Sequence, residues 1–237
     1  MYMSDSQPRI AVLIPALNEE ASLPYVLADL PKEVANEVVV IDNGSSDRTA
    51  EVARAGGATV LSEPRRGYGS ACLAGIEYLK SQEPDIVVFL DADYSDHPDE
   101  LPAVVRPIVA EGADFVIGSR TKGEAEPGAL LFQSRFGNAL ATWLIRLLYG
   151  FTYSDLGPFR AIRFPALLGL GMTDRTYGWN VEMQIKAVRR RLRITEVPVR
   201  YRKRAGGESK VSGTVSGTFL AGYKILWTVF RYAWESA

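Results

Sequence analysis

The chain has 237 residues, 47% of them hydrophobic and 23% charged, and its 27 Lys and Arg stand against 28 Asp and Glu for a formal net charge of −1. That balance is ordinary for a globular protein and excludes general polyanion binding, so nucleic acid is not an expected partner. The lone cysteine, Cys72, excludes an intramolecular disulfide framework and a cysteine-based zinc site, and a core of this size needs neither, since roughly 70–75% of the unfolded surface can be buried.

Residues 1–8 are polar and the apolar run at 10–14 is too brief for a secretory h-region, so no leader is expected. Residues 9–14 (RIAVLI) predict a first strand, and Asn18 and Glu19 open a helical stretch to about Leu30. Residues 37–42 (EVVVID) predict a second strand, and Ser46 caps a helix that runs through Ala55 and stops at Gly56-Gly57. A third strand is expected at 58–61 and a helix from about Tyr68 to Ser81. A fourth strand follows at 85–90 (DIVVFL), a helix at 98–110 and a fifth strand at 114–119 (DFVIGS). Continuous apolar strands alternating with helices imply a mostly parallel sheet covered on both faces, with strand C-termini along one edge where ligands bind.

The second half changes character. Residues 121–133 are rich in Gly, Glu and Pro and read as a loop before a helix at 134–149. Strands are expected at 159–164 and 194–201, with a helix near 181–190 between them. A last helix from about 214 to 234 carries a polar stripe at Lys224, Thr228, Arg231 and Glu235 among aromatic and aliphatic residues. Lys224 and Arg231 break the best candidate membrane span, 211–234, which would need about 20 mostly apolar residues. No linker divides the chain.

Asp42 and Asp91 each follow an apolar strand directly, and Asp93 comes two residues after Asp91, so the topology gathers three carboxylates at one rim. Two carboxylates on one turn can hold a hard divalent cation such as Mg²⁺ or Mn²⁺ beside phosphate oxygens. Asp96 and His97, followed by Pro98-Asp99-Glu100, read rather as a helix start. Gly67-Tyr68-Gly69 would let backbone approach a ligand closely or simply form a turn.

The motif series Pro15-Ala16-Leu17-Asn18-Glu19-Glu20, Asp42-Asn43-Gly44-Ser45-Ser46-Asp47 and Asp91-Ala92-Asp93 resembles glycosyltransferase family 2. Gly118-Ser119-Arg120, Gly157-Pro158-Phe159-Arg160, Glu196-Val197-Pro198-Val199 and Gly207-Glu208-Ser209-Lys210 extend the resemblance to the polyprenyl- and dolichyl-phosphate mannose or glucose synthases. It implies an α/β GT-A nucleotide-diphospho-sugar transferase fold over 1–210, with 211–237 as a C-terminal amphipathic helical extension packed on the same domain. It further implies a metal-dependent, inverting transfer of a hexose from a UDP-glucose or GDP-mannose type donor to a polyprenyl phosphate.

By that resemblance Pro15, Ala16, Glu19, Asp42, Gly69, Asp91, Ala92 and Asp93 bind the nucleotide sugar, and Asp91 and Asp93 hold Mg²⁺ or Mn²⁺. Arg120, Arg160 and Lys210 face phosphate, and Asp155 and Glu182 are the possible bases. Asn43, where family sequences often carry Asp, receives no catalytic role. Family members often have Gln two positions after the second rim Asp; Ser95 stands there, which leaves the third metal ligand open among water, Ser95 and Asp96. Trp179 either stacks on the sugar or fills the core.

The same resemblance would place the amphipathic segments 136–149 and 219–234 on the cytoplasmic face of a membrane; core packing or a homodimer contact is the plainer reading of such helices. Transfer to a saccharide hydroxyl is the nearest alternative function. A sugar nucleotidyltransferase would want a Gly-rich basic loop after the first strand, which residues 15–20 lack, and a non-catalytic nucleotide-sugar binder would not need Asp91, Asp93, Arg160 and Lys210 together.

Overall fold

The computed structural model describes residues 7–206 and 215–234. Seven strands form one sheet in the order β3-β2-β1-β4-β6-β5-β7: β1 (Ile10–Ala16), β2 (Glu37–Asp42), β3 (Thr59–Ser62), β4 (Ile86–Phe89), β5 (Phe115–Ser119), β6 (Arg160–Arg163) and β7 (Ile194–Pro198). Strands β3, β2, β1 and β4 run parallel, and β5 pairs parallel with β7. Only β6 is reversed, inserted antiparallel between β4 and β5. The C-terminal ends of β1, β2 and β4 therefore share an edge with the start of β6. Buried apolar residues lie on both faces: one cluster holds Leu13, Phe89, Phe115 and Trp179, the other Val12, Val88, Val104 and Phe159. This two-sided burial is why the strands read as unbroken apolar runs.

The helices are α1 (Leu23–Asp29), α2 (Thr49–Ala55), α3 (Tyr68–Gln82), α4 (Leu101–Ala110, after a 3₁₀ turn at Pro98–Glu100), α5 (Phe132–Tyr149), α6 (Phe164–Leu170), α7 (Trp179–Arg189) and α8 (Val215–Trp234). Three sequence expectations are corrected. The first helix starts at Leu23 because Asn18 adopts a left-handed φ of 53° and its Oδ1 accepts the Ser46 amide, which ties the β1 and β2 loops together. Asp47, not Ser46, serves the start of α2: its Oδ1 accepts the Thr49 amide at 3.0 Å. Helix α6 was not foreseen; Pro165 stands in its first turn and Gly171 ends it in a left-handed conformation.

Helix α8 packs on α5 and α7, burying Val229 and Tyr232 in the core beside a polar contact stripe and leaving several aromatics outside. Thr228 is buried, and Lys224 reaches Asp174 at 3.1 Å. Tyr223, Trp227, Phe230 and Trp234 are instead exposed, as are Phe132, Phe136, Trp143 and Leu147 on α5. No helix among the described residues is long and apolar enough to cross a membrane.

The segment between α6 and α7 closes on the start of α3. Ser70 donates its amide to the Arg175 carbonyl at 3.0 Å, and a Cβ on Gly69 would lie 2.0 Å from the Asp174 carbonyl oxygen. The close backbone approach anticipated at Gly67-Tyr68-Gly69 is thus made to this segment. Gly69→Ala is expected to lower the unfolding free energy by about 1–3 kcal/mol, read as a reduced denaturant midpoint.

Candidate active site

A cavity of about 390 Å³ opens at the C-terminal edge of β1, β2 and β4, lined by Pro15, Ala16, Glu19, Asn43, Gly67, Tyr68, Asp91, Ala92, Asp93, Thr176, Tyr177 and Arg204 among others. The β1 loop supplies a flat Pro-Ala wall and the β4 turn supplies the carboxylates. Asp42 lies beside this cavity without lining it; its Oδ1 accepts the Ser45 amide at 3.0 Å and shapes the β2 turn. Asn43 braces the same turn, donating to the Glu63 and Arg65 carbonyls and accepting the Gly67 amide.

The acidic rim carries more negative charge than its surroundings neutralise. Tyr68 donates to Asp91 at 3.0 Å, and Ser95 donates its amide to Asp93 at 2.9 Å. Burial and the adjacent Asp93 charge push Asp91 up to about 7. Asp96 is 1% exposed, and neither of its carboxylate oxygens has a hydrogen-bond partner among the described residues. Burial, then the charges of Asp91 and Asp93, raise it well above the usual carboxylate range. Asp96 is therefore not the helix cap its sequence context implies. It pairs in an isolated bridge with Tyr201, and no side chain caps the turn at Pro98.

Orphaned buried carboxylate oxygens beside two further acids are the surroundings that a hard divalent cation relieves. No three His, Cys, Asp or Glu side chains among the described residues form a metal cage by themselves. The donor set therefore fits a cation held by one or two carboxylates and completed by diphosphate and water, the usual Mg²⁺ pattern.

Arg204, which the sequence reading overlooked, reaches over this cavity. Its Nη2 donates to Glu19 Oε1 at 2.7 Å and lies 3.6 Å from Asp93 Oδ2. The available signal was its place in the basic run 200–204, ahead of a Gly-rich stretch.

A second cavity, also about 390 Å³, lies between the β5 end and α5 and is lined by Arg120, Thr121, Ser134, Arg135, Asn138, Trp143, Arg146 and Asp155 among others. Arg120 forms a two-pronged pair with Asp155: Nε to Oδ2 and Nη2 to Oδ1, both at 2.8 Å, with the Arg120 amide also donating to Oδ2. Burial opposes the charge on Arg120, but the hydrogen bonds and charge of Asp155 outweigh it and hold the guanidinium protonated. Arg120 is close enough to lower Asp91 and Asp96, so it links the second cavity to the acidic rim.

Three sequence assignments need correction. Asp155 lines the second cavity but is 1% exposed, and both its oxygens are engaged by Arg120 in three hydrogen bonds, so it stands as the partner of that guanidinium rather than as a free base. Glu182 is fully buried, lines neither cavity, and receives hydrogen bonds from Thr173, Asp174 and Tyr232 besides its ion pair with Lys186. Arg160 opens β6 at the correct edge, but its side chain turns into the core. There it donates to the Leu156, Gly157 and Asn180 carbonyls, and burial lowers it to about 10. Trp179 is likewise core, edge-on to Phe89 at 6.0 Å. Lys210 lies outside the described residues.

A mostly parallel α/β sheet with a nucleotide-sized cavity and paired carboxylates after β4 has the architecture of nucleotide-sugar-dependent GT-A transferases. The glycosyl transferase family 2 model matches residues 11–168, and the chain belongs to that family. It is 40% identical over 215 residues to an uncharacterized glycosyltransferase of Mycobacterium tuberculosis, covering 90% of this chain and 94% of that one. It is 31% identical over 224 residues to the undecaprenyl-phosphate mannosyltransferase of Micrococcus luteus, covering 88% and 90%. Among solved structures, it superposes with a TM-score of 0.74 and 26% identity on M. tuberculosis glucosyl-3-phosphoglycerate synthase in complex with Mn²⁺, UDP-glucose and phosphoglyceric acid, over 95% of this chain and 80% of that one. The same synthase has also been crystallised with Mg²⁺ and UDP.

Two outcomes follow. A carboxyl raised to about 7 holds its proton near neutrality, and a cation must displace that proton. Mn²⁺ binding in the presence of UDP should therefore tighten as pH rises from 6 to 8 and release protons, which calorimetry in buffers of different ionisation enthalpy detects. The folded value lies above the ordinary one, so the stability it contributes is present at low pH and lost as pH rises through about 7. Chelated protein should melt lower at pH 8 than at pH 6, and Asp91→Asn should flatten that slope. Second, Arg160→Ala should cost about 3 kcal/mol of stability by stranding three carbonyls and opening a void, while the folded fraction keeps most of its nucleotide affinity.

Proposed function

We propose that this glycosyltransferase moves a hexose from a nucleotide-diphosphate sugar onto a polyprenyl phosphate. The observation that carries the reading is that both candidate bases are spent. Asp155 is locked to Arg120 and Glu182 is saturated with donors. A hydroxyl acceptor must lose a proton as it attacks, and a positioned base would serve it. A phosphate monoester has its second pKa near about 6 and arrives already ionised, so it needs cations to orient it. The cavity lined by Arg120, Arg135 and Arg146 suits that need.

The relative that acts on undecaprenyl phosphate supports this acceptor class. So do the exposed aromatic and leucine side chains on α5, whose Trp143 lines that cavity, and on α8 packed against α5, which suit a lipid tail and a peripheral position on a bilayer. Residues 1–210 would form the catalytic domain, and 211–237 a helical extension that brings it to the lipid.

In this reading the cavity at β1, β2 and β4 takes the donor. Pro15 and Ala16 flank the base, and Asp91 and Asp93 hold Mg²⁺ or Mn²⁺. Bound there, the cation would neutralise charge on the departing diphosphate. Arg204, released from Glu19, would add a second positive charge on the same side. An acceptor phosphate oxygen, steered by Arg120 and Arg135, attacks the anomeric carbon from the opposite face. The bond from that carbon to the diphosphate oxygen breaks, the configuration inverts, and the nucleoside diphosphate leaves.

Titration of UDP and GDP with and without Mn²⁺ should give metal-dependent binding of at least one, and transfer assays should yield a polyprenyl-phosphate hexose. Arg135→Ala should raise the KM for the lipid phosphate about tenfold, the loss of roughly one charged hydrogen bond, with the donor KM unchanged. Transfer only to a small phosphorylated acceptor, as the phosphoglycerate-bound synthase suggests, would replace the lipid by that class. Activity on neutral sugars alone would reject both.

A further inference from the structure

Glu182 is a buried acid that the proposed chemistry does not use, and its partners show what it does. Its Oε1 accepts the Thr173 amide at 2.9 Å, the Thr173 hydroxyl at 2.8 Å and the Tyr232 hydroxyl at 2.7 Å. Its Oε2 accepts the Asp174 amide at 2.7 Å. Lys186 completes the knot, 2.7 Å from Oε1 and donating to the Gly171 carbonyl at 2.6 Å. Burial would raise the acid, but the hydrogen bonds from Lys186, Tyr232, Asp174 and Thr173 outweigh it and hold it below the usual range. Such a carboxylate is a fixed anchor rather than a proton carrier.

What the anchor holds is one wall of the donor cavity. Asp174 Oδ1 accepts the Thr176 amide at 2.7 Å, and Thr176 and Tyr177 line that cavity. The Arg175 carbonyl receives the Ser70 amide, so the same segment fixes the start of α3, which carries Tyr68 toward Asp91.

The far side of the anchor is α8. Lys224, Thr228 and Tyr232, spaced by four residues, make one stripe along it. Lys224 lies 3.1 Å from Asp174 Oδ2, and Tyr232 donates to Glu182. A Cβ on Gly178 would meet Thr228 Oγ1 at 2.6 Å. The opposite stripe bears the exposed Tyr223, Trp227 and Trp234.

We propose that Glu182 is a positioning residue for donor binding, holding residues 173–177 against the donor cavity and coupling that wall to α8, so that the seating of α8 sets donor affinity. The proposal rests on the reading of that cavity as the nucleotide-sugar site.

The test uses the full chain and two variants, Glu182→Gln and the milder Tyr232→Phe, with UDP and GDP as probes in Mn²⁺. Backbone amide exchange is followed at Ser70, Thr173 and Asp174 without nucleotide. Both variants should exchange faster at those amides. The dissociation constant of the nucleotide that wild type binds should rise about tenfold in Glu182→Gln and about threefold in Tyr232→Phe, magnitudes set by one or two hydrogen bonds. In turnover the donor KM should rise more than kcat falls, which general loss of folded protein would not produce. Should Glu182→Gln fail to fold, Tyr232→Phe decides alone. Faster exchange with unchanged nucleotide affinity overturns the proposal, as does unchanged exchange. Wild type that binds neither nucleotide overturns the donor reading itself, a result distinct from wild-type binding that the variants leave unmoved.

Discussion

Crowding of like charge at the end of β4 is the constraint from which the site is built. Parallel pairing of β1, β2 and β4 brings their C-terminal ends to one edge. The turn after β4 then places Asp91 and Asp93 there, with Asp96 buried behind them. Carboxylates this close cannot all ionise without positive charge nearby. The chain supplies it from two sides. Arg204 stands between Glu19 and Asp93, and Arg120 faces Asp91 and Asp96 while Asp155 fixes its other edge. Acid and base alternate through both cavities, from Glu19 to Arg204, the rim acids, Arg120 and Asp155. A cation or a phosphate entering the donor cavity meets in Arg204 a group whose present partners it can replace.

The two cationic side chains differ in how readily they can be recruited. Arg120 is held by two parallel hydrogen bonds and its own amide to a carboxylate that is itself buried, so it is a fixed electrostatic feature. Arg204 has one short bond to Glu19 and a longer approach to Asp93, on a segment that leads into the Gly-rich stretch. A donor diphosphate would compete for Arg204 far more easily than an acceptor would for Arg120. The donor side is thereby the adjustable one, and the acceptor side is preorganised.

The strands and the acidic rim were legible because their signals are local: apolar runs of four to seven residues, an Asp that ends β2 and another two residues past β4. The Pro-Ala wall was legible for the same reason. Failures came where side-chain direction decides. Arg160 occupies the edge its motif predicts, yet the reversed strand β6 turns its guanidinium toward Leu156, Gly157 and Asn180. Gly69 is required for close backbone approach, as its pattern suggests, but the approaching carbonyl belongs to Asp174, more than a hundred residues away. The polar stripe of α8 says nothing of its partners until Lys224 is seen at Asp174, with Tyr232 beside it at Glu182. Each of these depends on a contact distant in sequence, which periodicity does not encode.

Acids that do chemistry and acids that do architecture are separated here by saturation rather than by position. Asp155 and Glu182 are as buried as Asp96, although Asp155 also lines the second cavity. The first two are engaged by backbone amides, a guanidinium, an ammonium and hydroxyls, so their charge is already balanced within the chain. Asp96 has no hydrogen-bond partner at normal distance among the described residues, and Asp91 has one phenol. A buried carboxyl short of donors keeps its proton or takes a cation in its place. Unmet demand for positive charge therefore falls at the rim, while the saturated acids brace the walls to either side. That division separates the acids that can meet a cation at the centre of the sheet edge from those that hold its walls.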